Sequence, residues 1–579
     1  MKRLAGIVPL TIALLLAAPA HAQVAPVERA EAIPPATAIL AHNGMVVAQE
    51  ERAARIGVEI LDRGGNAVDA AVATGFALAV TYPRAGNLGG GGFMLIHLAE
   101  ENRDIAIDYR ETAPAAATPG MFLDAKGKPD AAKSRDTGLA VGVPGTVAGL
   151  ALAEQKYGSG KLTLADLIAP AIELAQKGFP VEDDTADSLP RARERLARWP
   201  SSAAIFLNGG EPLHEGDRLL QFDLADTLRA IAEGGPRAFY EGRIADEIAA
   251  AVRSAGGIMA ADDLKDYRAV EREPVRGSYR GNDIVSMPPP SSGGVALIEI
   301  LNILEGYDLG KLGRATAAHD MIEAMKRAYA DRAVYMGDPD SVKVPVAALL
   351  SKQYAASLRA EINDKATPAA VIHSGKPTDT EGRNTTHFSV IDRDGNAVAN
   401  TYTLNFSYGL GLVAGGTGVL LNNELDDFTA KPGAANAYDL VGFGANLPGP
   451  GKRPLSSMTP TIVLKGGKPF LITGSPGGSR IITAVLQVIS NVIDWHMPID
   501  KAVSAPRLHN QWEPDETFVE PGFAPEVLEA LKARGQVLVP SEPHTSANSI
   551  EVIPKTEFTP QAYAGAADRR TRGALAAGY

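Results

Sequence analysis

Cysteine does not occur anywhere in the 579 residues. Disulfides, thiolate nucleophiles, zinc–thiolate sites and iron–sulfur clusters are therefore excluded together. A basic excess is missing too, since 56 Lys and Arg stand against 68 Asp and Glu for a formal charge of −12. A surface that tracks phosphates needs clustered Lys and Arg, so the balance argues against a nucleic-acid partner. It does not bear on an acidic substrate, which only a local site can recognise. Among motifs, H-E-x-x-H, G-x-x-x-x-G-K-[ST] and the G-x-S-x-G elbow are all lacking. No His/carboxylate cluster has metal-ligand spacing, and no repeat of fixed period is found. No long apolar run follows the amino terminus.

The chain has 45% hydrophobic and 21% charged residues, an ordinary globular composition that can bury a large core. Its length allows three or four domains, or one large enzyme fold with extensions. At the amino terminus Lys2 and Arg3 precede an apolar run over 4–18, and Ala20-His21-Ala22 offers the small residues a signal peptidase reads. The run is shorter than the roughly 20 residues a membrane span needs. Residues 1–22 are thus expected to be a signal peptide. The product would be periplasmic or secreted, with no membrane attachment after the signal is removed.

Helical spacing over 51–62 ends at Gly64-Gly65, and Asn66 can cap a second helix, AVDAAVATGFALAV, apolar nearly all round. Strands are expected over 93–98 and 104–109, helices through 140–280, and further helices over 295–304 and 319–335, the last amphipathic. The texture changes near residue 374. Residues 374–384 (SGKPTDTEGRN) are polar and free of large apolar side chains, an accessible loop. A hairpin follows, with arms from Thr385 to Ile391 and over 397–404 around DRDG. A second, over 461–464 and 469–473, ends in GSPGG (474–478) and an apolar helix over 480–495. Two hairpins flanked by apolar helices point to a layered α/β/β/α sandwich.

The run GNLGGGG (86–92) leads into an apolar strand, not a helix. It is therefore better read as tight backbone packing than as a phosphate cradle. GSPGG differs, because a strand turns there and exposes backbone amides where a helix begins. It fits an oxyanion hole and an ordinary strand-to-helix turn equally well. At Asn384-Thr385, cleavage would give Thr385 a free α-amine with an ordinary pKa of about 7.7–8.0, able to take the proton of its own hydroxyl. By itself a strand-initial threonine is most often structural.

Residues 384–428, NTTHFSVIDRDGNAVANTYTLNFSYGLGLVAGGTGVLLNNELDDF, resemble the start of the small subunit of the γ-glutamyltranspeptidases (glutathione hydrolases). KRPLSSMTPTIV (452–463), GSPGGSRIITAV (474–485), GNLGGGGF, DYRETAP (108–114), PPPSSGG (288–294) and the final AGY are similar to the same family. The likeness covers nearly the whole chain beyond the signal. It implies an α+β fold, the four-layer α/β/β/α sandwich of N-terminal nucleophile hydrolases, built from both fragments of a self-cleaved precursor. The large subunit would be 23–384 and the small subunit 385–579, cut between Asn384 and Thr385 and held together as a heterodimer. No metal or organic cofactor is implied.

The resemblance also implies roles. Thr385 is the nucleophile, Thr403 hydrogen-bonds it, and the amides of Gly477 and Gly478 form the oxyanion hole. Arg110, with Ser456 and Ser457, takes the α-carboxylate of a γ-glutamyl group, a planar fork suiting a carboxylate. Glu424 and Asp427, with the amide of Asn405, hold the α-ammonium. Many bacterial members have Gln where Glu424 stands, and others have Glu. Residues 431–443 form a lid with Tyr438 as its gating aromatic. The implied activity is cleavage of γ-glutamyl amides such as glutathione, with transfer to water or to an amino acid or dipeptide. A glutaryl- or cephalosporin-type acylase is the nearest alternative. A non-catalytic binding protein and a nucleotide-dependent oxidoreductase are more distant ones.

Overall fold

The computed structural model describes residues 33–372 and 385–579. The expected signal peptide, the loop over 374–384 and Asn384 lie outside the described residues. Two seven-stranded sheets, antiparallel throughout, form the centre. In spatial order the first contains Leu575–Gly578, Gly44–Ala48, Thr386–Asp392, Ala397–Thr403, Gly91–Leu98, Arg103–Tyr109 and Val270–Arg272. The second contains Ile39–Ala41, Ala562–Ala566, Ser549–Ile553, Lys468–Thr473, Thr461–Lys465, Asn282–Ser286 and Val275–Tyr279. Both expected hairpins form, one in each sheet.

Side chains alternate across a strand, and here both faces are buried. Met45, Val47, Phe93 and Leu95 enter the core shared with Ile284, Ile462 and Ile472 of the second sheet. Val46, Ala48, Met94 and Ile96 turn the other way, onto the helix Ala67–Thr81. The helices Gly293–Leu304, Arg314–Tyr335 and Ile481–Ile493 pack with the second sheet. Helix, sheet, sheet and helix thus make four layers. The residues before and after the 384–385 junction interleave, for Thr386–Asp392 pairs with Gly44–Ala48 and Ala397–Thr403 pairs with Gly91–Leu98.

Local chemistry explains the helix ends. The Asn66 side chain accepts from the Val68 and Asp69 amides at 2.9 and 3.0 Å, and Asp69 accepts from the Asn66 amide at 3.0 Å, a reciprocal cap. The helix expected over 480–495 begins as a tight turn, Gly478–Arg480, and continues as Ile481–Ile493. The glycines of GSPGG force that tighter entry. The helix expected over 319–335 spans Arg314–Tyr335 and is not amphipathic. Two of its buried cations are paired: Arg327 donates to Glu323 at 2.9 Å, and Lys326 meets Asp515 at 2.7 Å. Residues before the undescribed loop are held as well, since Trp512 Nε1 donates to the carbonyls of Ala369 and Ile372 at 3.1 and 3.2 Å. Among the described residues no helix is long and apolar enough to cross a membrane.

Candidate active site

Thr385 stands at the head of the strand Thr386–Asp392. The register pairs Thr386 with Tyr402, and one step further it brings Thr385 opposite Thr403. Both threonines line one polar cavity. The glycine run explains how the neighbouring backbone comes so close. A Cβ on Gly90 would lie 2.1 Å from the Thr403 carbonyl oxygen, and one on Gly92 would lie 2.4 Å from that of Thr401. Tight packing is therefore what the run provides. The Thr403 hydroxyl oxygen accepts from the Asn405 amide at 2.8 Å, while Asn405 itself holds a left-handed φ of 72°. Asparagine tolerates that region better than other side chains, and such local strain gathers at functional sites.

Gly478 lines the same cavity, and Gly477 lies beside it with φ 132°. Close neighbours exclude side chains along the whole turn. A Cβ on Gly474 would strike the His387 ring at 2.3 Å, one on Gly477 the Thr545 methyl at 2.6 Å, and one on Gly478 the Tyr438 ring at 2.4 Å. The turn is fixed from three sides. Burial pushes the His387 imidazole down to about 3, so it is neutral here, bonded to Thr401 and Ser389 at 2.9 and 3.0 Å.

Segment 431–443 lies closed over the cavity. Tyr438 is only 8% exposed; its hydroxyl donates to the Asn405 side-chain oxygen and reaches the Asn405 carbonyl at 3.0 Å. Asn436 donates to Asp427 at 3.1 Å, and Gln511 donates to the Tyr438 carbonyl at 2.9 Å. The expected lid is thus pinned at several points.

The charged residues are arranged differently from the expectation. Arg110 is fully buried, and its two terminal nitrogens already donate to Glu424 and, at 2.6 Å, to Asp427. Its Nε donates to the Pro454 carbonyl at 3.1 Å. It does not line the cavity, whereas Glu424 and Asp427 do. An open bidentate clasp on a carboxylate is therefore not what the geometry presents, because opposite charges have closed on one another. Glu111, which the sequence reading passed over, lies 3.7 Å from Arg110, and neither of its oxygens has a hydrogen-bond partner. Burial pushes its carboxyl up to about 7 against the pull of Arg110. Burial also raises Glu424 and Asp427, again opposed by Arg110. In direct contact one guanidinium stands among three carboxyls, with Arg453 and Arg332 acting on Glu111 and Asp427 from farther off. That is a setting for a cationic group.

Ser456 and Ser457 line the cavity from the other side. The PPPSSGG stretch supports them. The Ser456 amide donates to the Pro290 carbonyl at 2.9 Å, and the Ser292 amide and hydroxyl donate to the Ser456 carbonyl at 2.8 and 2.6 Å. Close contact of Gly293 with Met458 and Thr459 explains the glycine there. One helix braces both halves of the cavity, since the Tyr329 hydroxyl donates to the Ser479 carbonyl and Arg332 donates to Ser457 at 3.2 Å. Glu111 was legible as a polar residue inside DYRETAP. Arg332 and Gln511 carried no sequence signal. Among the described residues no group of His, Asp and Glu could hold a metal ion.

A four-layer sandwich with a strand-initial threonine, a glycine turn and a polar cavity at one point defines an N-terminal nucleophile hydrolase. The sequence model of the γ-glutamyltranspeptidases matches residues 53–578, and the chain belongs to that family. It is accordingly an enzyme of γ-glutamyl hydrolysis and transfer. It is 53% identical over 545 residues to a glutathione hydrolase proenzyme of Escherichia coli (strain K12), covering 93% of each chain. It is 41% identical to the acylase ACY 1 proenzyme of Pseudomonas sp. (strain SE83), covering 86% of this chain and 88% of the other. Among solved structures, cephalosporin acylase from Bacillus halodurans superposes with a TM-score of 0.82 at 29% identity, covering 97% and 99% of the two chains. Helicobacter pylori γ-glutamyltranspeptidase gives 0.55 at 48% identity, covering 56% of this chain and 93% of that one.

Proposed function

We propose that Thr385 is the nucleophile of a glutathione-cleaving γ-glutamyl enzyme and that the chain matures by cutting itself before that residue. The Thr385 hydroxyl attacks the Asn384 carbonyl carbon, the peptide nitrogen leaves as a free amine, and water hydrolyses the resulting ester. The products are the fragments 23–384 and 385–579, which the interleaved strands keep together. In the matured enzyme the new α-amine takes the hydroxyl proton as Thr385 attacks the γ-carbonyl carbon of the substrate. The amides of Gly477 and Gly478 donate to the oxygen that becomes negative. The amine of cysteinylglycine leaves with a proton, and water, an amino acid or a dipeptide then takes the acyl group from the ester. Thr403 orients the nucleophile.

Recognition of the glutamyl head follows from the ion cluster. A zwitterion entering between Arg110 and its carboxylate partners exchanges the internal pairs with Glu424 and Asp427 for pairs with the ligand. Glu424, Asp427 and the Asn405 amide then take the α-ammonium, while Arg110, Ser456 and Ser457 take the α-carboxylate. Tyr438 closes over both. The likeness to acylases is a second reading for substrates that lack an α-amine. The three carboxyls around Arg110 weigh against it, because such substrates bring no cation. A cleaved export signal over 1–22 and a periplasmic or secreted location complete the proposal.

The observation that carries this reading is that Thr385, Gly478, Glu424, Asp427 and the serine pair border one cavity. Thr385→Ala tests it. The expected result is a single uncut chain by intact mass, releasing no p-nitroaniline from γ-glutamyl p-nitroanilide. A variant that still matured and turned over would refute the assignment of the nucleophile. The same mass measurement on the wild type reads the cut after Ala22.

A further inference from the structure

Arg332 lies on the helix Arg314–Tyr335, one turn beyond Tyr329 and on the same side. It is 5% exposed. Its Nε donates to the Ser292 hydroxyl at 2.9 Å and its Nη2 to the Ser457 hydroxyl at 3.2 Å. Among the described residues no carboxylate comes within ion-pairing distance of it. A buried guanidinium without a counter-charge is costly to hold. Burial brings its pKa down to about 10, so it remains charged near neutrality. Arg110, by contrast, has Glu111, Glu424 and Asp427 around it. Among the described residues Arg332 is thus held by hydroxyls without a carboxylate in contact, and the Asp427 charge acts on it only from beyond ion-pairing distance.

The hydroxyls behind the cavity wall show where that charge is directed. A serine hydroxyl has one hydrogen to donate and two lone pairs to accept with. The Ser457 oxygen accepts from Arg332, and the Ser456 oxygen accepts from the Met458 amide at 3.1 Å. Among the described residues neither hydroxyl hydrogen has an acceptor, and both serines line the cavity. Ser292 is spent differently: its hydrogen goes to the Ser456 carbonyl at 2.6 Å while its oxygen accepts from Arg332. The serine pair therefore turns two donors toward the cavity, with a cation directly behind one of them.

We propose that Arg332 is a positioning residue for the anionic end of the substrate, orienting the Ser457 hydroxyl as a donor and supplying the charge that an α-carboxylate neutralises. The proposal rests on the reading of this cavity as the γ-glutamyl site. Its ligand class is amides whose acyl chain ends in a carboxylate, with or without an α-amine.

Three p-nitroanilides separate the two ends of the ligand: γ-glutamyl carries both charges, glutaryl keeps only the carboxylate, and 4-aminobutyryl keeps only the ammonium. For Arg332→Gln we expect KM to rise at least tenfold on the first two, with kcat within threefold of wild type. KM on the third, or its Ki as a competing ligand where turnover is too slow, stays within twofold. Arg332→Lys, which keeps the charge, recovers threefold or more of the lost affinity. An equal rise on all three substrates would mean a packing role and overturn the proposal, as would no rise at all. If Arg332→Gln stays uncut, Ser292→Ala replaces it, with a rise of three- to fivefold in the same pattern; a flat pattern sinks the idea. Wild-type enzyme inert on the γ-glutamyl anilide would instead refute the underlying functional reading.

Discussion

The two ends of the cavity solve opposite problems with the same kind of side chain. At one end a buried arginine, Arg110, is crowded by Glu111, Glu424 and Asp427, and burial raises all three carboxyls. At the other, Arg332 donates to serine hydroxyls, and the Asp427 charge acts on it only from beyond ion-pairing distance. The first end has three carboxyls in contact with one guanidinium, and the second has a guanidinium with no carboxylate in contact among the described residues. On the proposed reading, a zwitterionic head would lie between them with its acyl carbon toward Thr385. Buried charge here serves orientation more than stability, since each end alone is expensive.

The contrast can be broken by experiment. The largest effect is expected where both ends and the nucleophile share a wall. Gly478→Ala adds a Cβ at φ 57°, 2.4 Å from the Tyr438 ring. It should lower kcat by about 1,000-fold, the scale of losing an oxyanion donor, measured in steady state on matured enzyme. A loss below tenfold would show that the turn does not act on the transition state. Next, Asp427→Asn should cost roughly 100-fold in kcat/KM on γ-glutamyl p-nitroanilide, about 3 kcal/mol for breaking a buried pair. The glutaryl anilide should lose much less, because it has no ammonium to place. Equal losses would erase the distinction between the two ends.

Acidity sharpens the same point. Glu111 takes up a proton as pH falls through about 7, and burial raises Glu424 and Asp427 as well. Only ionised carboxyls attract an ammonium, so KM for the γ-glutamyl amide should rise as pH falls and these raised groups take up protons. Stability should move the other way. A carboxyl whose pKa is raised on folding stabilises the protein fully below its unfolded pKa and loses that contribution as pH rises through about 7. Melting temperature without substrate should therefore gain from this cluster as pH drops from 8 to 6, and KM and Tm rising together is the signature to look for. The Thr385 amine, with an ordinary value of about 7.7–8.0, should govern kcat separately. The smallest effect is assigned to Tyr438→Phe, which removes the hydroxyl that bonds Asn405. About 1 kcal/mol, or roughly fivefold in KM, is expected. An unchanged KM would make the lid a cover rather than a clamp.

Much of the frame was legible in order along the chain. The Asn66 cap, the hairpin around DRDG and the hairpin around Gly466-Gly467 are local devices, written in residues a few positions apart. Thr385, Thr403 and Asn405 were named through the family resemblance, and one hairpin with the residues just beyond it carries all three. What could not be read depends on distant partners. The Arg314–Tyr335 helix looked amphipathic, yet Lys326 is buried because Asp515 and the Thr367 carbonyl, far along the chain, satisfy it. The Arg110 guanidinium was expected open and is found closed on Glu424 and Asp427, some 300 positions away.

The sequence determined the layer pattern, the strand-initial threonine and the glycines that let backbone approach backbone. These follow from side-chain period, capping and the size of a missing Cβ, all of which act locally. Tertiary structure alone decided which charges face each other, which arginine touches carboxylates and which touches hydroxyls, and how firmly segment 431–443 is pinned. Electrostatic balance in a buried site is a sum over neighbours in space, and adjacency in the chain does not specify those neighbours.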